Sequence, residues 1–330
     1  MAAAPTVAAA PLIATVPLTD SSLLAVGPMP DDVLDMHQQT VPRRFVHRGD
    51  ISGVLLTGFR NDGGDRFTFG VQWPRSHGFY GPVNGRHDPM MVAETVRQAG
   101  LALGHLGYGV PEGHVFMMQN LRYRMTAHGL SLTGTPSDVL ARVVCKNVRR
   151  RGTQLVSLTF DIWFEREGSV VGSGSGSFRC VAPQVYTKLR ASQERPPTPG
   201  IPGSHPLPPA SVGRLSRGDV VVAATEQEGR WLIRADPRHP VLFDHPADHI
   251  PGMLLMEAAR QVMVLVSGPG AAAPLALRGT FEHYVELDEP AYLRLVADQR
   301  GGGDAGARFL IEQRGSVCAE ITLNAPTDPS

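Results

Sequence analysis

The chain has 330 residues, long enough for two ordinary domains with a core each, and its 31 basic and 31 acidic side chains give a formal net charge of zero. Such a balance leaves no global field to recruit nucleic acid or an anionic membrane surface. Three cysteines (Cys145, Cys180 and Cys318), an odd number without metal-like spacing, argue against a disulfide framework and for a reducing, cytoplasmic setting.

The N-terminal "MAAAPTVAAAPLIATVPLTD" is apolar, but it has no basic residue ahead of its first acid and three prolines interrupt it. It fails the secretory pattern, and no apolar run is long enough to span a bilayer. Residues 1–40 read as a loosely ordered extension. In a first unit, 41–194, "DRFTFGVQWP" (65–74) alternates as a strand does. A helix is expected over 90–106, with Asp88 as N-cap and Pro89 at the first helical position. Strands follow at 116–125, 139–148 and 155–166. In the last, Leu158, Phe160, Ile162 and Phe164 share one face, opposite Thr159, Asp161 and Glu165.

"VGSGSGSF" (171–178) reads as a glycine-rich loop or as a bent strand against which another backbone lies closely. It lacks the lysine and the strand-to-helix context of a phosphate-binding loop. Seven prolines across 195–213 exclude helix and sheet interiors and mark a linker. The second unit, 214–330, repeats the scheme: a hairpin over 219–237, a helix over 252–267, then the strand-like runs "GTFEHYVEL", "AYLRLVADQ", "RFLIEQ" and "VCAEITLN". Many strands around one long apolar helix in each unit imply an antiparallel sheet wrapping a central helix, an α+β class.

The two helices share more than their place. "HDPMMVAETVRQ" (87–98) aligns with "HIPGMLLMEAARQ" (249–261), each a His, a Pro, an apolar stretch and Glu-x-x-Arg-Gln, with one gap near the Pro. Glu94, Arg97 and Gln98 are therefore the counterparts of Glu257, Arg260 and Gln261, and spacings of three and four put each trio on one helix face. A helix apolar on its other faces is buried, so these charges need partners. They are either a packing pair within the helix or the wall of a cavity. In the second case Glu is an acid/base raised toward neutrality by burial, Arg receives an anion and the helix N-terminus polarises a carbonyl. His77, His87, His239, His245 and His249 precede the helices without zinc-site spacing, so no metal is expected; they brace the entry loops, and one contacts substrate. No G-x-S-x-G elbow supports a serine hydrolase.

The Pro-Gly entry, the apolar run and "EA" of 251–258 resemble the hot-dog fold of β-hydroxyacyl-ACP dehydratases. The catalytic His of that group stands fourteen residues before the Glu, and here that position is Phe243. A closer resemblance is to the A-factor or γ-butyrolactone biosynthesis (AfsA-like) family, which has two hot-dog repeats per chain. It rests on "FVHR" (45–48), "LLTGF" (55–59), "HGFYGP" (77–82), "DPMMVAETVRQAG" (88–100), "DHPADHIPGMLLMEAARQ" (244–261) and "FEHYVELDEP" (281–290), and covers roughly residues 41–325.

The resemblance implies tandem hot-dog repeats paired as a pseudo-dimer, which fits a monomer. It also implies transfer of a β-ketoacyl group from an acyl carrier protein to dihydroxyacetone phosphate, without a cofactor. The ester would then close to a butenolide, the precursor of γ-butyrolactone, furan or butenolide signals. Carried over, the functional residues are Glu94, Glu257 and Arg260, with Arg97, Gln98 and Gln261 at equivalent positions. Gly252 allows close passage of the thioester, and His249 and His87 are substrate contacts. The second helix, with its Pro-Gly entry, is expected to carry the principal site. A hot-dog thioesterase or dehydratase and a non-catalytic acyl- or lactone-binding regulator are the alternatives.

Overall fold

A computed structural model describes residues 36–191, 205–301 and 304–326. The N-terminal extension (apart from 36–40) and the first part of the Pro-rich linker lie outside the described residues. In chain order the first half contains β1 (Leu56–Gly63), β2 (Arg66–Trp73), α1 (Pro89–Ala102), β3 (Val115–Met125), β4 (Ser137–Arg151), β5 (Gln154–Arg166), β6 (Ser169–Val181) and α2 (Pro183–Arg190). The second contains β7 (Val222–Ala224), β8 (Arg230–Ile233), α3 (Gly252–Ser267), β9 (Ala276–Phe281), β10 (Tyr292–Gly301), β11 (Asp304–Gln313) and β12 (Ser316–Pro326).

All twelve strands join one sheet in the order β1-β2-β4-β5-β6-β3-β9-β12-β11-β10-β8-β7. Read from either end, that order gives the same scheme, so the halves are related by a pseudo-two-fold axis at the β3–β9 junction. There Leu121 faces Gly279, Arg122 faces Arg278 and Tyr123 faces Leu277 in antiparallel register. The sheet curls around α1 and α3, and the two halves share a continuous apolar core.

The helices form where expected, for the expected reasons. The Asp88 carboxylate accepts a 2.8 Å hydrogen bond from the Met90 amide, and Pro89 fills the first position, where a missing N–H costs nothing. From Leu103 to Gly107 the helix loosens into a π turn, where Gly104 lies against the Phe116 ring. On β5 the four expected apolar residues face the core, while Asp161 and Glu165 pair on the outer side with Lys146 and Arg142.

"VGSGSGSF" lies within a strand, β6, and its glycines are there for close packing. A Cβ on Gly174 would sit 2.8 Å from the Arg122 carbonyl oxygen and 3.1 Å from Val96 of α1. Two elements depart from the sequence reading. The run 279–287 leaves the sheet after Phe281, because the Val285 carbonyl accepts from the Ile250 amide and the Glu286 amide donates to Gln313. The short helix α2 was not anticipated: it has eight residues, and its apolar Val185 and Leu189 are exposed, leaving only Arg190 buried. Of the linker, Pro209–Val212 form a 3₁₀ turn with Val212 buried in the second half. Among the described residues no helix is long and apolar enough to cross a membrane.

Gly174→Ala is expected to lower stability by about 1–3 kcal/mol, the usual cost of overpacking. Urea denaturation should show this shift against an unchanged Gly134→Ala, whose Cβ would meet open space.

Candidate active site

The Glu-Arg-Gln trios are built alike in both helices. Glu257 is wholly buried and lies between two guanidinium groups: Arg260 of its own helix donates Nε and Nη2 at 2.8 Å, and Arg214 donates Nε at 2.8 Å. Gln261 Nε2 donates to the same carboxylate at 2.6 Å and to the Asp219 carbonyl, while its Oε1 accepts from the Val221 amide. In the first half Glu94 is gripped in the same way by Arg97, Arg48 and Gln98, and Gln98 likewise ties down Gly53 and Leu55. Arg48 and Arg214 then cross to the other half, donating to the carbonyls of Val241 and Phe79. Each trio therefore ties the segment before its own half's first strand to the helix and locks the two halves together.

That environment corrects the expectation of a proton-accepting glutamate. Burial acts to raise Glu257, but the charges of Arg214 and Arg260 outweigh it and hold the carboxyl down to about 2. For Glu94 the charges of Arg48 and Arg97 overcome burial and also give about 2. Both glutamates are ionised and saturated with donors, and neither lines the large cavity described next. Arg214 is absent from the sequence reading, and Arg48 entered it only within "FVHR". The available signal was the shared Val-x-Arg of 46–48 and 212–214.

A cavity of about 1270 Å³ opens at one end of the helix pair. Gly252 and His249, at the entry to α3, line it together with Arg48, Val96, Arg97 and Gly100 of the first half. The site therefore joins the start of the second helix to Arg97 of the first, across the pseudo-dimer interface. Glu257, Arg260 and Gln261 point to the opposite end. The expected principal site over 252–261 is thus divided, and only its first residues reach this cavity. Arg97 uses Nε and Nη2 on Glu94 and on the Val46 carbonyl; its Nη1 has no protein partner among the described residues.

The pseudo-symmetric position at the start of α1 is filled by the protein itself. Asp88 aligns with Ile250, and its buried carboxylate caps α1 while standing 3.3 Å from Arg214. Burial raises Asp88 against the pull of Arg214. At α3 the N-cap is Pro251, which has no side-chain acceptor, so the helix presents its first amides uncapped. A carboxyl group is built in at one helix start and left out at the other.

The histidines divide in the same way. His77 and His239 brace the entry loops, each accepting two backbone amides on Nδ1. His87 is buried against Ser137 at 2.9 Å, away from the cavity, and burial with the Arg166 charge lowers it to about 4. Of the three histidines nearest α3, His249 has the shortest carboxylate contact, Asp248 at 2.8 Å, against 3.4 Å from His239 to Asp219 and 3.6 Å from His245 to Asp244.

The sequence matches the A-factor biosynthesis hotdog domain (AfsA) over residues 31–182 and 201–327, one segment for each half of the sheet. The chain belongs to this family. It is 40% identical over 270 residues (82% of this chain, 90% of the relative) to a 2-oxo-3-(phosphooxy)propyl 3-oxoalkanoate synthase of Streptomyces virginiae. It is 39% identical over 291 residues (87% and 91%) to a synthase of the same name from Streptomyces coelicolor. Among solved structures it is similar to a putative oleoyl thioesterase from Lactobacillus plantarum, at 13% identity, 82% and 99% coverage and a TM-score of 0.48. In this AfsA-family chain α2 falls between the two matched segments, yet it reaches the cavity through Tyr186 and Arg190.

Glu257→Gln leaves Arg260 buried without its carboxylate and Arg214 with only Asp88 at 3.3 Å, and the expected cost is about 3–5 kcal/mol in urea denaturation. Both carboxyls have folded pKa values below their ordinary 4.5. Their contribution to stability is therefore full above pH 4.5 and lost as pH falls toward 2. The unfolding midpoint of the native chain is expected to decline across that window, and that of Glu257→Gln to decline less steeply.

Proposed function

We propose that the chain transfers a 3-oxoacyl group from an acyl carrier protein thioester to a hydroxyl of dihydroxyacetone phosphate, giving the 2-oxo-3-(phosphooxy)propyl ester. The observation that carries this reading is similarity over more than four-fifths of the chain to synthases named for that ester. Dihydroxyacetone phosphate and the acyl carrier protein are its partners, and it acts without a cofactor. Intrachain pairing of the two repeats fits a monomer.

The cavity supports the reading chemically. Arg97 Nη1 offers a charge-assisted donor to the phosphate while its other nitrogens hold the side chain in place. The uncapped start of α3 offers backbone N–H groups to the thioester oxygen as it becomes anionic. Gly252 keeps that approach open, since a Cβ there would press on Phe281 at 3.2 Å. Apolar wall residues such as Val96, Met118 and Leu255 line the space for an acyl tail. Asp88 at the other helix start supports a single working site in the pair.

Incubation of a 3-oxoacyl thioester with dihydroxyacetone phosphate is expected to give a phosphorylated ester by mass spectrometry. Free acid formed equally well without the acceptor would identify a thioesterase instead. Arg97→Ala is expected to raise KM for dihydroxyacetone phosphate about 10- to 100-fold, the equivalent of one charged hydrogen bond. An unchanged KM would remove Arg97 from the phosphate site.

A further inference from the structure

An acyl transfer to a hydroxyl needs a group that takes the hydroxyl proton, and the two glutamates are unavailable for it. Each is ionised, fully buried and saturated by two arginines and a glutamine. Of the other four histidines lining the cavity, His47 has its Nε2 engaged with His105 Nε2 at 2.9 Å, and His245 stands half-exposed 3.6 Å from Asp244. Neither His114 nor His283 has a carboxylate in hydrogen-bond reach among the described residues. His249 is differently placed. Its Nδ1 donates to Asp248 Oδ1 at 2.8 Å, since a carboxylate can only accept, so its Nε2 is left as the basic nitrogen. Its ring packs edge-on against Tyr284 at 4.6 Å, three residues ahead of the uncapped start of α3.

Asp248 is itself held from the other half of the molecule. Tyr186 of α2 donates its hydroxyl to the carboxylate at 2.9 Å, and Arg190 donates Nε at 3.1 Å and Nη2 to the Asp248 carbonyl at 3.1 Å. Arg190 is fixed in turn by a two-pronged pair with Glu286 at 2.7 Å and lies over the Tyr284 ring. Burial acts to raise Asp248, but the hydrogen bonds from His249 and Tyr186 outweigh it and keep the carboxylate below its usual range. Such a carboxylate–imidazole pair, with each partner oriented by the next, is the arrangement that fixes a tautomer and stabilises an imidazolium.

We propose that His249, oriented by Asp248, is the base of the acyl transfer, a role that rests on the transferase reading above. Its Nε2 takes the proton of the dihydroxyacetone phosphate hydroxyl as that oxygen bonds to the thioester carbonyl carbon. The tetrahedral adduct then collapses, the C–S bond breaks, and the imidazolium returns the proton to the departing thiolate. The products are the oxygen ester and the carrier thiol, so atoms and charge balance without a further reactant. Asp248 is a positioning residue, and α2 with Tyr186 and Arg190 is the strap that holds it.

The test uses the full chain with a 3-oxoacyl carrier thioester and dihydroxyacetone phosphate. His249→Asn and His249→Ala are expected to lower kcat by about 10²- to 10⁴-fold, the span of general base catalysis, with KM for dihydroxyacetone phosphate little changed. Added imidazole is expected to restore part of the activity of His249→Ala. In the native chain kcat/KM should rise with pH through a single limb that His249→Asn lacks. Asp248→Asn should move that limb to lower pH, because the imidazolium loses its carboxylate while Tyr186, Arg190, Tyr284 and Glu286 stay in place around it. Folded His249→Asn with kcat within threefold of native, or an unmoved limb in Asp248→Asn, overturns the proposal. Should the native chain form no acceptor-dependent ester, the transferase reading fails first and separately.

Discussion

The buried carboxylate held between two guanidinium groups is the interaction on which this double hot-dog depends. Among the described residues Glu94 and Glu257 are the only glutamates with no exposure, in helices whose other faces are apolar, and each is charged because two arginines make it so. One arginine comes from the helix itself and the other from the segment ahead of the first strand. Since the second arginine also donates to a carbonyl of the opposite half, the same pair sets the helix, the sheet edge and the pseudo-dimer interface. Stability and architecture are therefore coupled through one electrostatic contact, repeated twice.

Duplication gave two potential sites, and a small change at the helix entry made them unequal. Where the second half has Ile250-Pro251-Gly252, the first has Asp88-Pro89. Asp88 supplies its own carboxylate to the α1 start and draws in Arg214, so that end is packed shut. The α3 start has no such cap and faces a cavity walled by the first half's Arg97 and Val96. On the proposed reading, substrate chemistry concentrates where the protein supplies no carboxylate of its own, because uncapped amides favour the negative charge that develops on a thioester oxygen.

Much of the fold was legible before any coordinates. Period-two alternation marked β2 and β5, and the Asp88-Pro89 and Pro251-Gly252 entries marked both long helices. The internal repeat announced the pseudo-two-fold. What escaped were elements whose formation depends on neighbours: α2, with almost no buried face, and the departure of 282–287 from the sheet, which the helix-entry loop and Gln313 impose. The candidate site was only partly legible. Gly252, His249 and Arg97 do line the cavity, whereas Glu257, Arg260 and Gln261 are spent on the interlock at the other end.

The sequence by itself determined the duplication, the helices, the alternating strands and the family, because periodicity and motif spacing are local properties of the chain. It also showed that six polar residues recur on two greasy helices. Only the tertiary structure decided what those residues do. Whether a buried glutamate is a base or a fixed anion depends on how many guanidinium groups surround it, and Arg48 and Arg214 arrive from far along the chain. The same holds for the site, which pairs the start of one repeat's helix with the flank of the other's, a juxtaposition that no single repeat encodes.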